Sequence, residues 1–490
     1  MRSRRLLPAL LALIGAAAHL LVAARTVAPD RDAASYLAMA RAFRVGDWAK
    51  ALGEVFPPLW PATWAAVGPV GGTDSLAWWH GAVLLGAVAA GIAVAATWVA
   101  ARRWLGPIPA LVGALWLGLS VEAARAGADG LSEALFPMLV ALWLLAWTRP
   151  RGPSLVWTAV LAGLAFLCRP EGALLAVPPL LTALTCDRRG PALVRLLPGL
   201  VLPVGWLVLR AQATGTWSPL PVGAFMAGPV SVEGQPLSAF GEASLPAALG
   251  HVGYEALLFV GQGFEGLGWM ALPLLPLGFL LLRRPELWRA EPDAEGRGPI
   301  ALPRWTVVAP ALVALAGLCV VPLFFAHRRF WVSWLPLLLP VAALPLATLR
   351  VRPPGQRLFA LAFALSLVPS FVQLLPERRA SIRAERELGL WLGSLPAGPP
   401  ALVSDLKRLH FFAGTWPPPP RPVPGTELMS LAAAPEARFV VSYGPRPGRA
   451  DDPRAKLDPE ALEALGYRPA ALPAPLDASV PQGNLRVYRR

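Results

Sequence analysis

Apolar residues in this chain come in long uninterrupted runs rather than at the spacing of a half-buried helix or strand. Runs near 6–24, 76–100, 107–121, 131–148, 154–168, 172–186, 194–210, 256–282, 305–326, 330–349 and 358–375 carry almost no charge, and short clusters containing arginine separate them. A hydrocarbon slab ~30 Å thick takes about 20 apolar residues per helix, and inside it the backbone must satisfy its own polar groups. The pattern predicts an all-α polytopic membrane bundle of about eleven transmembrane helices. The first run, behind Arg2, Arg4 and Arg5, is longer than the ~7–15 residues of a signal-peptide core, so it reads as an uncleaved helix.

Charge then orients the bundle, because arginine and lysine are retained on the cytoplasmic side of short loops. With the N-terminus cytoplasmic, the inner clusters are Arg2/4/5, Arg102/103, Arg149/151, Arg188/189/195, Arg283/284/289/297/304 and Arg350/352/357. Every second connection obeys the rule. The opposite, extracytoplasmic side receives residues 25–75 as a first outer loop with amphipathic helices, residues 211–255 as a second loop, and the tail. Residues 1–375 thus form a transmembrane module. Residues 376–490 mix charges of both signs with an amphipathic stretch at 377–394 and strand-like runs at Ala401–Ser404, Phe439–Tyr443 and Leu485–Tyr488. They predict a small C-terminal extracytoplasmic α/β domain.

Composition agrees with lipid as the main solvent: 55% of the 490 residues are hydrophobic and 15% charged, more apolar surface than one water-soluble core can hide. The net charge of +14 does not point to nucleic acid, since the basic residues sit mainly at the ends of apolar runs and report topology. Cys168, Cys186 and Cys319 fall in or at the ends of apolar runs with no metal or disulfide spacing. There is no Gly-rich phosphate loop and no serine or cysteine nucleophile constellation.

Candidate chemistry lies where the outer side breaks the charge rule. Arg125, Arg169, Arg328 and Arg329 fall in short outer connections, and the guanidinium fork suits phosphate oxygens. Four such groups at headgroup depth suit a lipid phosphate; the plainer explanation of each is a pairing with a local acid, such as Arg169 with Glu171. Pro29-Asp30-Arg31-Asp32 opens a short helix whose Tyr36, Met39, Ala40 and Phe43 share one face. Asp32 there is a helix N-cap or a carboxylate set against an acceptor hydroxyl as general base. Ser132-Glu133 starts another helix, where a carboxylate favours the positive dipole end. Arg169-Pro170-Glu171-Gly172 breaks two runs as a hairpin turn. The five histidines lack ligand spacing on any one helix, whereas acids such as Asp32 and Glu133 could hold a divalent metal ion.

The order of these features resembles the C-type membrane glycosyltransferase superfamily, in its bacterial branch of protein mannosyltransferases and the lipid A aminoarabinose transferase. The resemblance is carried by Asp32-Ala-Ala-Ser-Tyr36-Leu-Ala-Met-Ala-Arg41, Pro57-Pro58-Leu59-Trp60-Pro61, Ser132-Glu133-Ala-Leu-Phe136, Gly163-Leu-Ala-Phe-Leu-Cys-Arg169-Pro-Glu-Gly172, Arg329-Phe330 with Trp334-Leu-Pro336, and Leu409-His-Phe-Phe-Ala-Gly414. It implies an integral protein of the bacterial plasma membrane that moves a sugar from a polyprenyl-phosphate carrier to an extracytoplasmic lipid, glycan or protein hydroxyl, by inverting displacement. It also implies Asp32 as the catalytic base, with Asp30 the alternative. By their charge and sidedness, rather than by the resemblance, Arg169, Arg328 and Arg329 would hold the lipid phosphate, and Arg125, Tyr36, Glu133 and Glu171 are further candidates for binding substrate. A multi-pass transporter or flippase for a lipid-linked or other anionic substrate is the competing class. Such proteins place ionisable groups near the bilayer midplane, and here the charged candidates gather at one face.

Overall fold

The computed structural model describes residues 2–53, 56–68, 75–149, 153–215, 217, 245–266, 271–282, 304–320, 329–349, 361, 364, 380–395, 401–404, 406–415, 425–444, 458–482 and 484–490. Arg328, most of 211–255 and nearly all of the run expected at 358–375 lie outside them.

The first part is helical: α1 (Arg2–Ala23), α2 (Arg31–Val45), α3 (Trp48–Gly53), α4 (Leu59–Val67), α5 (Ser75–Leu105), α6 (Pro107–Gly118), α7 (Val121–Ala128), α8 (Phe136–Trp147), α9 (Leu155–Cys168), α10 (Val177–Thr185), α11 (Arg189–Val194) and α12 (Leu197–Thr214). It continues with α13 (Leu245–Gly266), α14 (Ala271–Leu282), α15 (Arg304–Val320), α16 (Arg329–Ala342) and α17 (Leu344–Leu349). Among the described residues, four helices are long and apolar enough to cross a membrane, at Leu6–Ala23, Ser75–Leu105, Leu197–Thr214 and Arg329–Leu346.

Several of the eleven apolar runs are broken, for local reasons. The run at 107–121 ends as α6, because Ser120 accepts a hydrogen bond from the Ala123 amide and caps a new helix, α7, bent from α6 by 42°. The run at 131–148 opens with a 3-10 turn, Ser132–Ala134, before α8. The run at 172–186 opens in a 3-10 segment, Pro170–Ala176, followed by Pro178 and Pro179 at the start of α10. The run at 256–282 belongs to two helices, α13 and α14, the first of which begins back at Leu245.

Burial separates a centre from a lipid-facing rim. α16 packs against α5, α6, α8 and α14 and buries every residue from Trp331 to Ala342. α12 instead exposes Leu200, Val201 and Val204, and α1 exposes Leu6, Leu10 and Leu13, an apolar surface that only lipid covers cheaply. At 31 residues α5 is ~46 Å long, more than a hydrocarbon core needs, and Arg102 and Arg103 stand in its last turn.

The tail holds α18 (Ala380–Gly393), β1 (Leu402–Ser404), α19 (Lys407–Ala413), α20 (Gly425–Ala432), β2 (Phe439–Tyr443), α21 (Pro459–Ala464), β3 (Arg468–Pro469), α22 (Ala474–Gln482) and β4 (Leu485–Arg489). The sheet order is β1-β2-β4-β3, with β1 parallel to β2 and the other pairs antiparallel. Side chains alternate across it as the pleat requires. Phe439, Val441 and Tyr443 join Leu388 and Leu392 of α18 and Val480 of α22 on one face, while Val440 meets Ala432, Leu462 and Tyr467 on the other. The tail is also sutured to the helical part, for Phe411 and Phe412 of α19 belong to the core that contains Leu37, Trp60 and Trp79.

Candidate functional site

The site is assembled from helix ends. Asp30 is the N-cap of α2: its backbone is extended and its Oδ1 accepts the Asp32 amide at 3.0 Å, which occupies one of the donors a helix start leaves open. Asp32 sits in the first turn, where the dipole favours a carboxylate. Its Oδ2 lies 2.9 Å from Nη1 of Arg329, the first residue of α16.

Glu133 is brought to the same place by the turn after α7. Gly130 adopts a positive φ of 77° there, a conformation glycine takes without penalty, and a Cβ at that position would crowd Trp64 and Ala33. The turn is pinned by the Trp60 indole, which donates to the Gly130 carbonyl at 2.9 Å, and by the Asp30 amide, which donates to the Asp129 carbonyl at 2.9 Å. Arg169 caps the end of α9, and the following turn folds back so tightly that a Cβ on Gly172 would collide with the Ala165 backbone.

These segments converge on one charged cluster. Arg169 places Nη1 2.5 Å from Glu133 Oε1 and Nε 2.5 Å from Glu171 Oε1. Arg329 brings Nε within 3.5 Å of the same Glu133 oxygen. The Phe330 ring lies 4.9 Å from the Arg169 guanidinium and 5.8 Å from that of Arg329, a cation–π arrangement that eases the approach of two like charges. On the far side of Glu133 the Tyr36 hydroxyl donates to Ser132 Oγ at 3.2 Å, and Ser132 donates to Glu133 Oε2 at 3.3 Å. Burial first, then the charges of Glu133 and Asp32, push the Tyr36 hydroxyl above its ordinary range, so it remains a donor. Burial works against the Arg169 charge, but Glu133 and Glu171 more than offset it and raise its pKa.

Exposure divides the carboxylates. The Glu133 side chain is 1% exposed and Glu171 13%, whereas Asp32 is 25% exposed. Glu133 holds the arginines from inside; of the carboxylates paired with them, Asp32 is the most open to an incoming molecule. Asp30 is 32% exposed, but one oxygen is committed to the helix cap.

Of the residues the sequence singled out, the structure unites Asp32, Glu133, Arg169, Glu171 and Arg329, with Tyr36 bonded to their floor and Asp30 beside them. Arg125 instead pairs with Glu122 on its own helix at 2.7 Å, and Arg328 is outside the described residues. The Phe56–Pro61 segment packs rather than projects: Phe56 meets the Tyr36 ring at 4.8 Å. Among the described residues no group of three His, Cys, Asp or Glu could hold a metal ion, and Arg329 faces both Asp32 and Glu133.

Two basic residues passed over in the sequence also reach this place from the tail. Lys407 Nζ donates to Ser35 Oγ at 3.1 Å, and Arg408 Nε donates to the Pro29 carbonyl at 2.7 Å. The only signal for them was a basic pair before the apolar Phe411-Phe412, diluted by the many other basic residues of the tail.

Residues 58–213 match the family of dolichyl-phosphate-mannose-protein mannosyltransferases, a span that contains Glu133, Arg169 and Glu171. No curated protein matches the chain in sequence. In fold it is similar to ArnT from Cupriavidus metallidurans in the apo state, with TM-score 0.60, 14% identity, and coverage of 99% of this chain and 98% of that one. The crystal structure of the same protein bound to undecaprenyl phosphate matches with TM-score 0.58 and 12% identity over the same shares. The Archaeoglobus fulgidus oligosaccharyltransferase, in complex with Zn and sulfate, matches with TM-score 0.51 and 13% identity, over 88% of this chain and 67% of that one. The chain therefore resembles the C-type membrane glycosyltransferase superfamily, on the side of its protein mannosyltransferases and aminoarabinose transferase.

Proposed function

We propose that this protein is an integral membrane glycosyltransferase that moves a sugar from a polyprenyl-phosphate carrier to an acceptor hydroxyl on the extracytoplasmic face of a bacterial plasma membrane. The observation that carries the reading is the pairing of the accessible Asp32 with Arg329 at 2.9 Å, beside a second arginine, Arg169, held by the buried Glu133 and by Glu171. The similarity to ArnT bound to undecaprenyl phosphate supports a polyprenyl phosphate as the carrier.

In this reading Asp32 takes the proton of the acceptor hydroxyl as its oxygen attacks the anomeric carbon. The bond from that carbon to the carrier phosphate breaks from the opposite face, with inversion, and polyprenyl phosphate departs with the electron pair. A phosphate leaves readily, so no protein nucleophile is needed; position and charge stabilisation are what the residues supply. Arg329 serves two anions in turn. While it holds Asp32, the carboxylate is engaged; a donor phosphate that draws the guanidinium to itself releases Asp32 to act as base. Asp32 rather than Asp30 fills this role in this reading because it faces Arg329, while Asp30 gives one oxygen to the α2 cap and turns the other toward Arg408.

The test is transfer by the purified protein supplied with a panel of lipid-linked sugars, with product configuration read by NMR. Consumption by the native chain with inversion, and its loss in Asp32→Asn, is expected. No consumption of any lipid-linked sugar, or full transfer by Asp32→Asn, would count against the reading.

A further inference from the structure

The C-terminal domain touches the start of α2 through a buried arginine. Arg408 is 9% exposed, and its guanidinium spans two parts of the molecule. On one side Nε donates to the Pro29 carbonyl at 2.7 Å and Nη2 lies 3.8 Å from Asp30 Oδ2. On the other, Nη1 lies 3.8 Å from Oε2 of Glu385, a residue of α18 that is itself 1% exposed and accepts from the Tyr443 hydroxyl of β2. Burial and the Glu385 charge push that hydroxyl above its usual range, so it stays a donor. Both anchors sit on regular elements whose side chains are locked in the tail's core, and Phe411 and Phe412 fix α19 to the helical part.

We infer that Arg408 is a positioning residue for the transfer reaction: from the C-terminal domain it holds Pro29 and Asp30, and through the Asp30 cap it sets the Asp32 carboxylate beside Arg329. The inference rests on the reading of Asp32 as the base. The connection is short, since Asp30 Oδ1 accepts the amide of Asp32 itself. A planar guanidinium faces the carbonyl and the two carboxylates from three separate nitrogens, whereas an ammonium would have to reach all three from one point. A displacement of ~1 Å at a reacting group costs on the order of 10²-fold in rate, so loosening the cap is felt in chemistry more than in binding. The tail is thereby a part of the active site's frame.

The experiment uses the full chain in lipid nanodiscs, comparing native protein with Arg408→Ala and Arg408→Lys. Three quantities are read: amide hydrogen exchange across residues 31–36, affinity for undecaprenyl phosphate, and kcat and KM for a lipid-linked sugar that the native chain consumes. In Arg408→Ala, exchange at 31–36 should rise about tenfold and kcat fall on the order of 10²-fold, with KM and undecaprenyl phosphate affinity within about twofold of native. Arg408→Lys should recover part of kcat. Should Arg408→Ala fail to fold, Glu385→Gln and Tyr443→Phe, which loosen the anchor and leave the arginine, should lower kcat in the same direction. Native exchange at 31–36, or native kcat in the folded variants, overturns the inference. If the native chain consumes no lipid-linked sugar, the functional reading fails, while the exchange measurement still decides whether Arg408 holds the cap.

Discussion

Among the described residues, two buried networks are written in the same residue types. In one, Tyr36 and Ser132 lead to Glu133, which holds Arg169 and Arg329; in the other, Tyr443 leads to Glu385, which faces Arg408. Both bury a carboxylate almost completely against guanidinium groups. They differ at the edge. The first ends on Asp32, a quarter exposed and set against Arg329, whereas the arginine of the second ends on a backbone carbonyl and on Asp30, an acid just as exposed but with one oxygen given to the α2 cap. A buried arginine–carboxylate pair is therefore no mark of an active site by itself; what sets the first network apart is an exposed acid that faces an arginine and does not cap a helix.

That contrast can be attacked at several points. The largest expected effect is that of Asp32→Asn, which keeps size and exposure but removes the proposed base: transfer should fall by roughly 10²–10⁴-fold, the range of general base contributions, with thermal unfolding near native. Glu133→Ala should act the opposite way. It strips the sealed carboxylate from two buried guanidinium groups, which typically costs about 3–5 kcal/mol, so a lowered Tm and reduced yield are expected ahead of any change in kcat per folded molecule. If Glu133→Ala unfolded at the native temperature and lost only turnover, Glu133 would belong to the chemistry and the division by exposure would be mistaken.

Tyr36→Phe removes the hydroxyl that donates to Ser132. One neutral hydrogen bond is worth about 1 kcal/mol, so Tm should drop slightly and any rate it touches by less than about tenfold; circular dichroism melts and single-turnover transfer read the two separately. The smallest effect is expected of Asp30→Asn, because Asn caps a helix about as well as Asp. Transfer within about twofold of native is the expected result, and a loss as deep as that of Asp32→Asn would move the base to Asp30.

How far the sequence could be followed differs from residue to residue. The strand-like tail segments at 401–404, 439–443 and 485–488 are β1, β2 and β4 almost to the residue, since alternation along a short strand is a local signal. The pairing of Arg169 with Glu171 was legible for the same reason, two residues apart across a proline turn. The bond from Glu133 to Arg169 and the approach of Arg329 to Asp32 were not, because they join positions 36 and 297 residues apart in the chain. Helix breaks fell between these cases. Ser120 was a recognisable cap only once α7 was seen to leave α6 at an angle.

The sequence alone determined that lipid is the main solvent of this protein and which residue types stand at its helix ends, because apolar runs and their flanking residues are read by composition over ten to twenty residues. Tertiary structure decided the assignments: that Asp30 caps while Asp32 faces Arg329, that Glu133 is sealed, that Arg125 turns to Glu122, and that Arg408 reaches in from the tail. Those outcomes depend on which helix ends meet and how much water remains between them. Neither distance nor exposure is encoded within any one segment.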